Sequence, residues 1–120
     1  MTVAADPGIL DRTLEYPLRA VRVFRELESD AAGRILGRQF LRSATSIGAN
    51  VHEAQAGQSK PDFIAKISIA HKERVESLYW LQLIGKAAIL PAARLSAIVD
   101  ETDQLTRILA AILVKSKRAK

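Results

Sequence analysis

The 120-residue chain has no cysteine. That absence excludes disulfides, thiolate metal sites and a cysteine nucleophile, and it leaves the redox compartment open. Aromatic residues make up only 5% of the chain, and none is clearly interleaved with the basic residues, so base stacking of the kind that grips single strands is not indicated. No apolar run approaches the ~18 residues that a membrane-spanning helix needs. Met1 to Asp11 holds no basic stretch followed by an apolar core, so no secretory leader is expected and the expected location is cytoplasmic. There is no Asn-Gly pair and no alternation of polar and apolar residues, which removes the hairpin signals of a β protein.

What is present has helical period. Apolar residues make up 48% and charged residues 26%, the balance of a folded soluble domain. The expected organisation is a single domain over residues 1–120, with flexible tails at about 1–12 and 117–120. Leu14, Leu18, Val21, Phe24 and Leu27 recur at spacings of three and four and predict a helix from about Thr13 to Glu28, with Pro17 tolerated in its first turn. Asp30 is placed to cap a second helix that runs to about Ala56, with Leu36, Phe40, Ile47, Val51 and Ala54 on one side.

Ser59-Lys60-Pro61-Asp62 reads as the capped start of a third helix, built on Phe63, Ile64, Ile67, Ala70, Leu78, Leu81 and Ile84 and ending near Gly85. Pro91 opens a fourth, whose seam is Leu95, Ile98, Thr102, Leu105, Leu109 and Ile112. The cations Lys115, Lys117, Arg118 and Lys120 complement the negative end of its dipole. Connections of a few residues favour antiparallel neighbours, so the expected fold is all-α, an antiparallel up-down four-helix bundle.

At about 100° per residue, Gln39, Arg42, Ser46, Asn50 and Glu53 form one stripe beside the apolar face of the second helix. Polar groups bordering a core need hydrogen-bond partners, which suggests a structural network, buried or interfacial; the alternative is a solvated face. These residues, with Arg42-Ser43-Ala44, Ser46-Ile47, Asn50-Val51, Ser59, Phe63, Ile69-Ala70 and Glu76, resemble the 23S rRNA intervening-sequence protein family over about residues 13 to 116. The chain departs from the common pattern at Ala54, Gly57 and Lys72-Glu73. The resemblance implies an antiparallel four-helix bundle assembling as a ring, most often a homopentamer, with no enzymatic activity. Apolar residues on more than one face of the third helix, among them Ile64, Ile69, Leu78, Tyr79 and Leu83, also point to self-association.

Catalytic and metal-binding patterns are missing. A carboxylate-bridged metal pair in a helical bundle uses Glu-x-x-His on two helices, but Ala49 and Ser68 stand three residues before His52 and His71. Helical-bundle ribonucleases place Arg four to six intervening residues before His; here those positions hold Thr45, Ser46, Ile47 and Ile64, Ala65, Lys66. Glu73 and Glu76 share a helix face, yet Lys72 and Arg74 adjoin them, so an ion-pair network is the better reading than acid-base work. No catalytic residue, metal, cofactor or small-molecule substrate is identified.

The signal for a partner is arginine. With 18 Lys and Arg against 13 Asp and Glu, the chain carries a formal charge of +5 and attracts polyanions. Arg19, Arg22 and Arg25 step by three along the first helix, while Arg34, Arg38 and Arg42 step by four along the second. If the two helices are neighbours, these arginines form a patch suited to the phosphates of RNA or DNA, without base reading. The alternative is a structural or adaptor ring whose basic face docks an acidic protein.

Overall fold

A computed structural model of the chain describes residues 7–118. It contains four helices, α1 (Pro7–Leu27), α2 (Ala31–Gln55), α3 (Lys60–Lys86) and α4 (Ala92–Arg118), and no strand among the described residues. The protein is therefore all-α, a four-helix bundle around one core. Two of the helix starts are capped as their residue types require. The Asp30 carboxylate accepts from the Gly33 amide at 2.7 Å, and Ser59 Oγ accepts from the Asp62 amide at 3.3 Å, each satisfying an amide that has no partner within its helix.

Between α3 and α4 the chain turns through a residue in the left-handed region, Ala88 with φ 58°. The Ala88 amide donates to the Gly85 carbonyl at 3.1 Å and the Ile89 amide to the Ile84 carbonyl at 3.2 Å. This is the paired closure that ends many helices, with Ile89 packed back on the core. An alanine there bears a steric cost that glycine avoids.

The core faces of α2, α3 and α4 match the periodic reading: Phe40, Ile47, Val51 and Ala54, then Phe63, Ile67, Ala70, Leu81 and Ile84, then Leu95, Ile98, Leu105 and Leu109 are buried. Helix α1 does not. Its buried stripe is Ile9, Thr13, Tyr16, Ala20, Val23 and Leu27, while Leu14 and Leu18 are 62% and 51% exposed. Two stripes about a third of a turn apart compete on this helix, and Leu27 serves both. The more apolar stripe loses because the side of α1 carrying Tyr16 and Ala20 is the side enclosed by its neighbours.

The helix also begins earlier than its apolar pattern. The tail expected over residues 1–12 is helical from Pro7, and the tail expected over 117–120 is helical through Arg118; residues 1–6 and 119–120 lie outside the described residues. Pro17 consequently stands inside α1, not in its first turn. Lacking an N–H, it cannot bond the Thr13 carbonyl one turn back, and its ring presses that carbonyl off the helix axis.

The freed oxygen lies against Gly48 of α2, where an added Cβ would sit 2.3 Å from it. A second α1 carbonyl, that of Leu27, would lie 2.6 Å from a Cβ on Gly33. The absence of side chains at these two positions lets the α1 and α2 backbones approach closely.

Gly48→Ala is expected to lower the melting temperature, because the clash with backbone outweighs the helix propensity gained, for a net loss of about 1–2 kcal/mol. Ala88→Gly is expected to raise it, by about 0.5–1 kcal/mol, through relief of the left-handed conformation. Thermal melts followed by far-UV circular dichroism check both signs; a parent-like melt for Gly48→Ala would mean that α1 and α2 separate without cost.

Candidate nucleic-acid interface

The five candidate arginines, Arg19, Arg22, Arg25, Arg34 and Arg38, are all exposed, and they divide into two groups. Steps of three residues turn a helix about 300°, so each arginine of α1 is displaced about 60° from the one before. Arg19 and Arg22 thereby line a groove of about 210 Å³ between α1 and α4, together with Val23, Arg94, Ala97 and Ile98. Arg25 has rotated past it, onto the exposed face shared with Leu18. On α2, Arg34 donates from Nη1 to the Glu28 carbonyl at 3.1 Å, and Arg38 follows on the outward face.

Arg19 and Arg22 thus share a groove with α4, while Arg25, Arg34 and Arg38 are not among the residues that line it. Arg94 was not among the sequence-derived candidates. It stands alone in its segment of the chain, and only the rotational phase of α4 turns it toward α1. Its guanidinium donates from Nε to Glu26 Oε1 at 2.8 Å and from Nη2 to Glu26 Oε2. The side chains of Arg19, Arg22, Arg25 and Arg38 have no hydrogen bond or ion pair among the described residues.

The polar stripe runs along the outer seam of α2 and α3. Gln39, Arg42 and Glu53 are exposed, and Ser46 and Asn50 are half-buried. Arg42 reaches Glu76 at 2.5 Å and Glu73 at 3.8 Å, and Lys66 reaches Glu53 at 2.8 Å, so two members tie the helices together at the surface. Asn50 instead donates to the Ser46 carbonyl and hydroxyl one turn back on its own helix, at 2.9 and 3.2 Å.

Glu76 also accepts from Trp80 Nε1 at 3.0 Å. That hydrogen bond, with Arg42 adding to it against the opposing effect of burial, holds the carboxyl below its usual range. Such a group is ionised near neutrality and is no proton donor. His52 is exposed, with Nε2 3.1 Å from the Leu10 carbonyl. Burial, then the neighbouring Arg74, lowers the His71 pKa and favours its neutral form.

A second polar group lies in the core, and of its members the sequence period marks only Thr102. The Tyr16 hydroxyl is 2.7 Å from Thr102 Oγ1, and Ser43 Oγ is 2.8 Å from Ser77 Oγ. All four residues are fully buried, and Arg74 is nearly so, its Nε without a hydrogen-bond partner. Burial, partly offset by hydrogen bonding with Thr102 and Ser77, pushes the Tyr16 phenol up to about 12. Among the described residues no three His, Asp or Glu side chains converge on a point that would hold a metal, and no helix is long and apolar enough to cross a membrane.

A family model described as "23S rRNA-intervening sequence protein" matches residues 8–111. Among solved structures, a protein of unknown function from the S23 ribosomal protein family of Bacteroides thetaiotaomicron is similar at 34% identity and TM-score 0.83, over 88% of this chain and 97% of that one. No curated protein matches the chain.

Between about pH 10 and 12 the folded chain keeps the Tyr16 proton that the unfolded chain loses, so the phenol's contribution to stability is present below pH 10 and lost as pH rises through 12. The parent is therefore expected to lose stability more steeply across this window than Tyr16→Phe, by up to about 1.4 kcal/mol per pH unit. At pH 7 the variant should be about 1 kcal/mol less stable, since Thr102 retains its bond to the Ile98 carbonyl. Denaturant titrations at pH 7, 10 and 12 check this; equal slopes would show that Tyr16 ionises without cost to the fold.

Proposed function

Because the chain belongs to the 23S rRNA-intervening sequence protein family, we propose for it a non-enzymatic, cytoplasmic role as a self-assembling bundle that binds the backbone of RNA or DNA through arginine, without reading sequence. The bundle is up-down, with antiparallel neighbours. Pairings that run in opposite chain order support this: Thr13 with Gly48 and Leu27 with Gly33, Ser43 with Ser77 and Glu53 with Lys66, Arg12 with Glu101 and Glu26 with Arg94.

The observation that carries the nucleic-acid reading is the set of exposed arginines without partners. A buried or paired arginine serves the fold. Unpaired guanidinium groups on a chain of net charge +5 keep their donor forks available to phosphate oxygens. Among the described residues Tyr79 is the only large aromatic that is mostly exposed, so stacking on bases contributes little and affinity comes from phosphates.

Assembly is supported by apolar residues that the single chain leaves outside. Leu14 and Leu18 on α1, and Val75 and Tyr79 on α3, are exposed pairs one helical turn apart, contiguous apolar surface that a second copy would cover. A homopentameric ring is the proposed form, and it would repeat the arginine surface around its circumference.

Light scattering is expected to return a mass several times 13.1 kDa, five times for the pentamer; the monomer mass across a wide concentration range overturns assembly. Fluorescence polarisation with unrelated RNA and DNA sequences is expected to show similar affinities that weaken steeply with salt. Arg34→Ala with Arg38→Ala should weaken all of them alike and flatten the salt slope by about 1–2. Absence of binding to any nucleic acid, alongside salt-sensitive capture of an acidic protein, would favour the adaptor reading.

A further inference from the structure

We propose that the groove between α1 and α4 is the principal phosphate site of this surface, holding one phosphodiester group between Arg19 and Arg22, with Arg94 recruited when Glu26 releases it. The inference rests on the nucleic-acid reading above and locates it. This seam is built differently from the other side of α1. Toward α2 the backbones meet at Gly48 and Gly33. Toward α4 the gap is spanned by long side chains, Arg12 onto Glu101 and Gln104 near one end and Arg94 onto Glu26 near the other.

Between those two bridges the small side chain of Ala97 leaves the groove open above Val23 and Ile98. Its volume of about 210 Å³ suits a phosphate with part of its sugar and is too shallow to enclose a nucleotide. The apolar floor excludes water from beneath the anion, which strengthens the charged contacts at the rim. Three arginines and no carboxylate line the groove, and of the three only Arg94 is held by a carboxylate, that of Glu26.

Arg19 and Arg22 are unpaired among the described residues and available without rearrangement. Arg94 already presents two donors to the two oxygens of one anionic group, the fork geometry that a phosphate accepts equally well. Glu26 then acts as the resident anion. A phosphate competes with it for Arg94, and the displaced carboxylate, exposed at the rim, turns to water.

The test uses the full chain, a fluorescein-labelled 20-nucleotide RNA of mixed sequence, and polarisation across a salt series. Circular dichroism melts confirm that the variants, all at exposed positions, remain folded. Arg19→Ala with Arg22→Ala is expected to lower affinity about tenfold or more, a larger loss than Arg34→Ala with Arg38→Ala, and to flatten the salt slope by about 0.7, the share of one phosphate on a single strand. Arg94→Ala is expected to cost about three- to tenfold, and Glu26→Gln to raise affinity a few-fold by freeing Arg94.

Parent-like binding by the Arg19/Arg22 pair, with loss in the Arg34/Arg38 pair, overturns the groove and leaves the nucleic-acid reading standing. If the parent binds no nucleic acid, that reading fails and inorganic phosphate decides the groove alone. Stabilisation of the parent by phosphate, absent in Arg19→Ala with Arg22→Ala, supports the groove as a site for the free anion; no such difference overturns it.

Discussion

The approach of α1 to α2 at one carbonyl sets the geometry from which the rest follows. Pro17 cannot bond the Thr13 oxygen, and Gly48 has no Cβ to keep it away. A helix with an interior proline would ordinarily expose an unsatisfied carbonyl or bend to hide it. Here the oxygen lies against Gly48, and the two helices are drawn together along the side that carries Gly33, Gly37 and Gly48.

Drawing α1 against α2 leaves its other side farther from α4. The bundle closes that seam with reach instead of small residues: an arginine bridge near either end and the Tyr16–Thr102 hydroxyl pair at the core. Side chains that span a gap leave space between them, and the groove with Arg19 and Arg22 is that space. The same packing asymmetry that buries one edge of α1 therefore keeps the opposite edge accessible and charged.

Hydroxyl pairs at the centre of the bundle add direction to packing that apolar contacts alone leave permissive. Tyr16 with Thr102 and Ser43 with Ser77 join α1 to α4 and α2 to α3. Shifting any one helix by a turn would strand a buried hydroxyl, at a cost of about 1–3 kcal/mol for each group left unpaired. Arg74 sits beside this layer with Nε unpartnered, and burial lowers its pKa despite the nearby charge of Asp103, so the core tolerates one imperfectly compensated cation.

Much of this protein was legible along the chain. Four helices, the Asp30 and Ser59 caps and the buried faces of α2, α3 and α4 all follow from local spacing and from residues that satisfy helix ends, because these are properties of a segment and its nearest turns. The interior face of α1 did not follow, since its more apolar stripe of Leu14 and Leu18 points to water and only the placement of α2 and α4 chooses Tyr16 and Ala20. Nor did the grouping of the arginines: Arg19, Arg22 and Arg25 look continuous in sequence, but a 60° drift per step parts them, and Arg94 joins the first two only across the bundle. Local period determines where a helix is; which of its faces is buried, and which distant charges meet, is decided by the rotation of each helix about its own axis, a quantity set by packing and not written in any one segment.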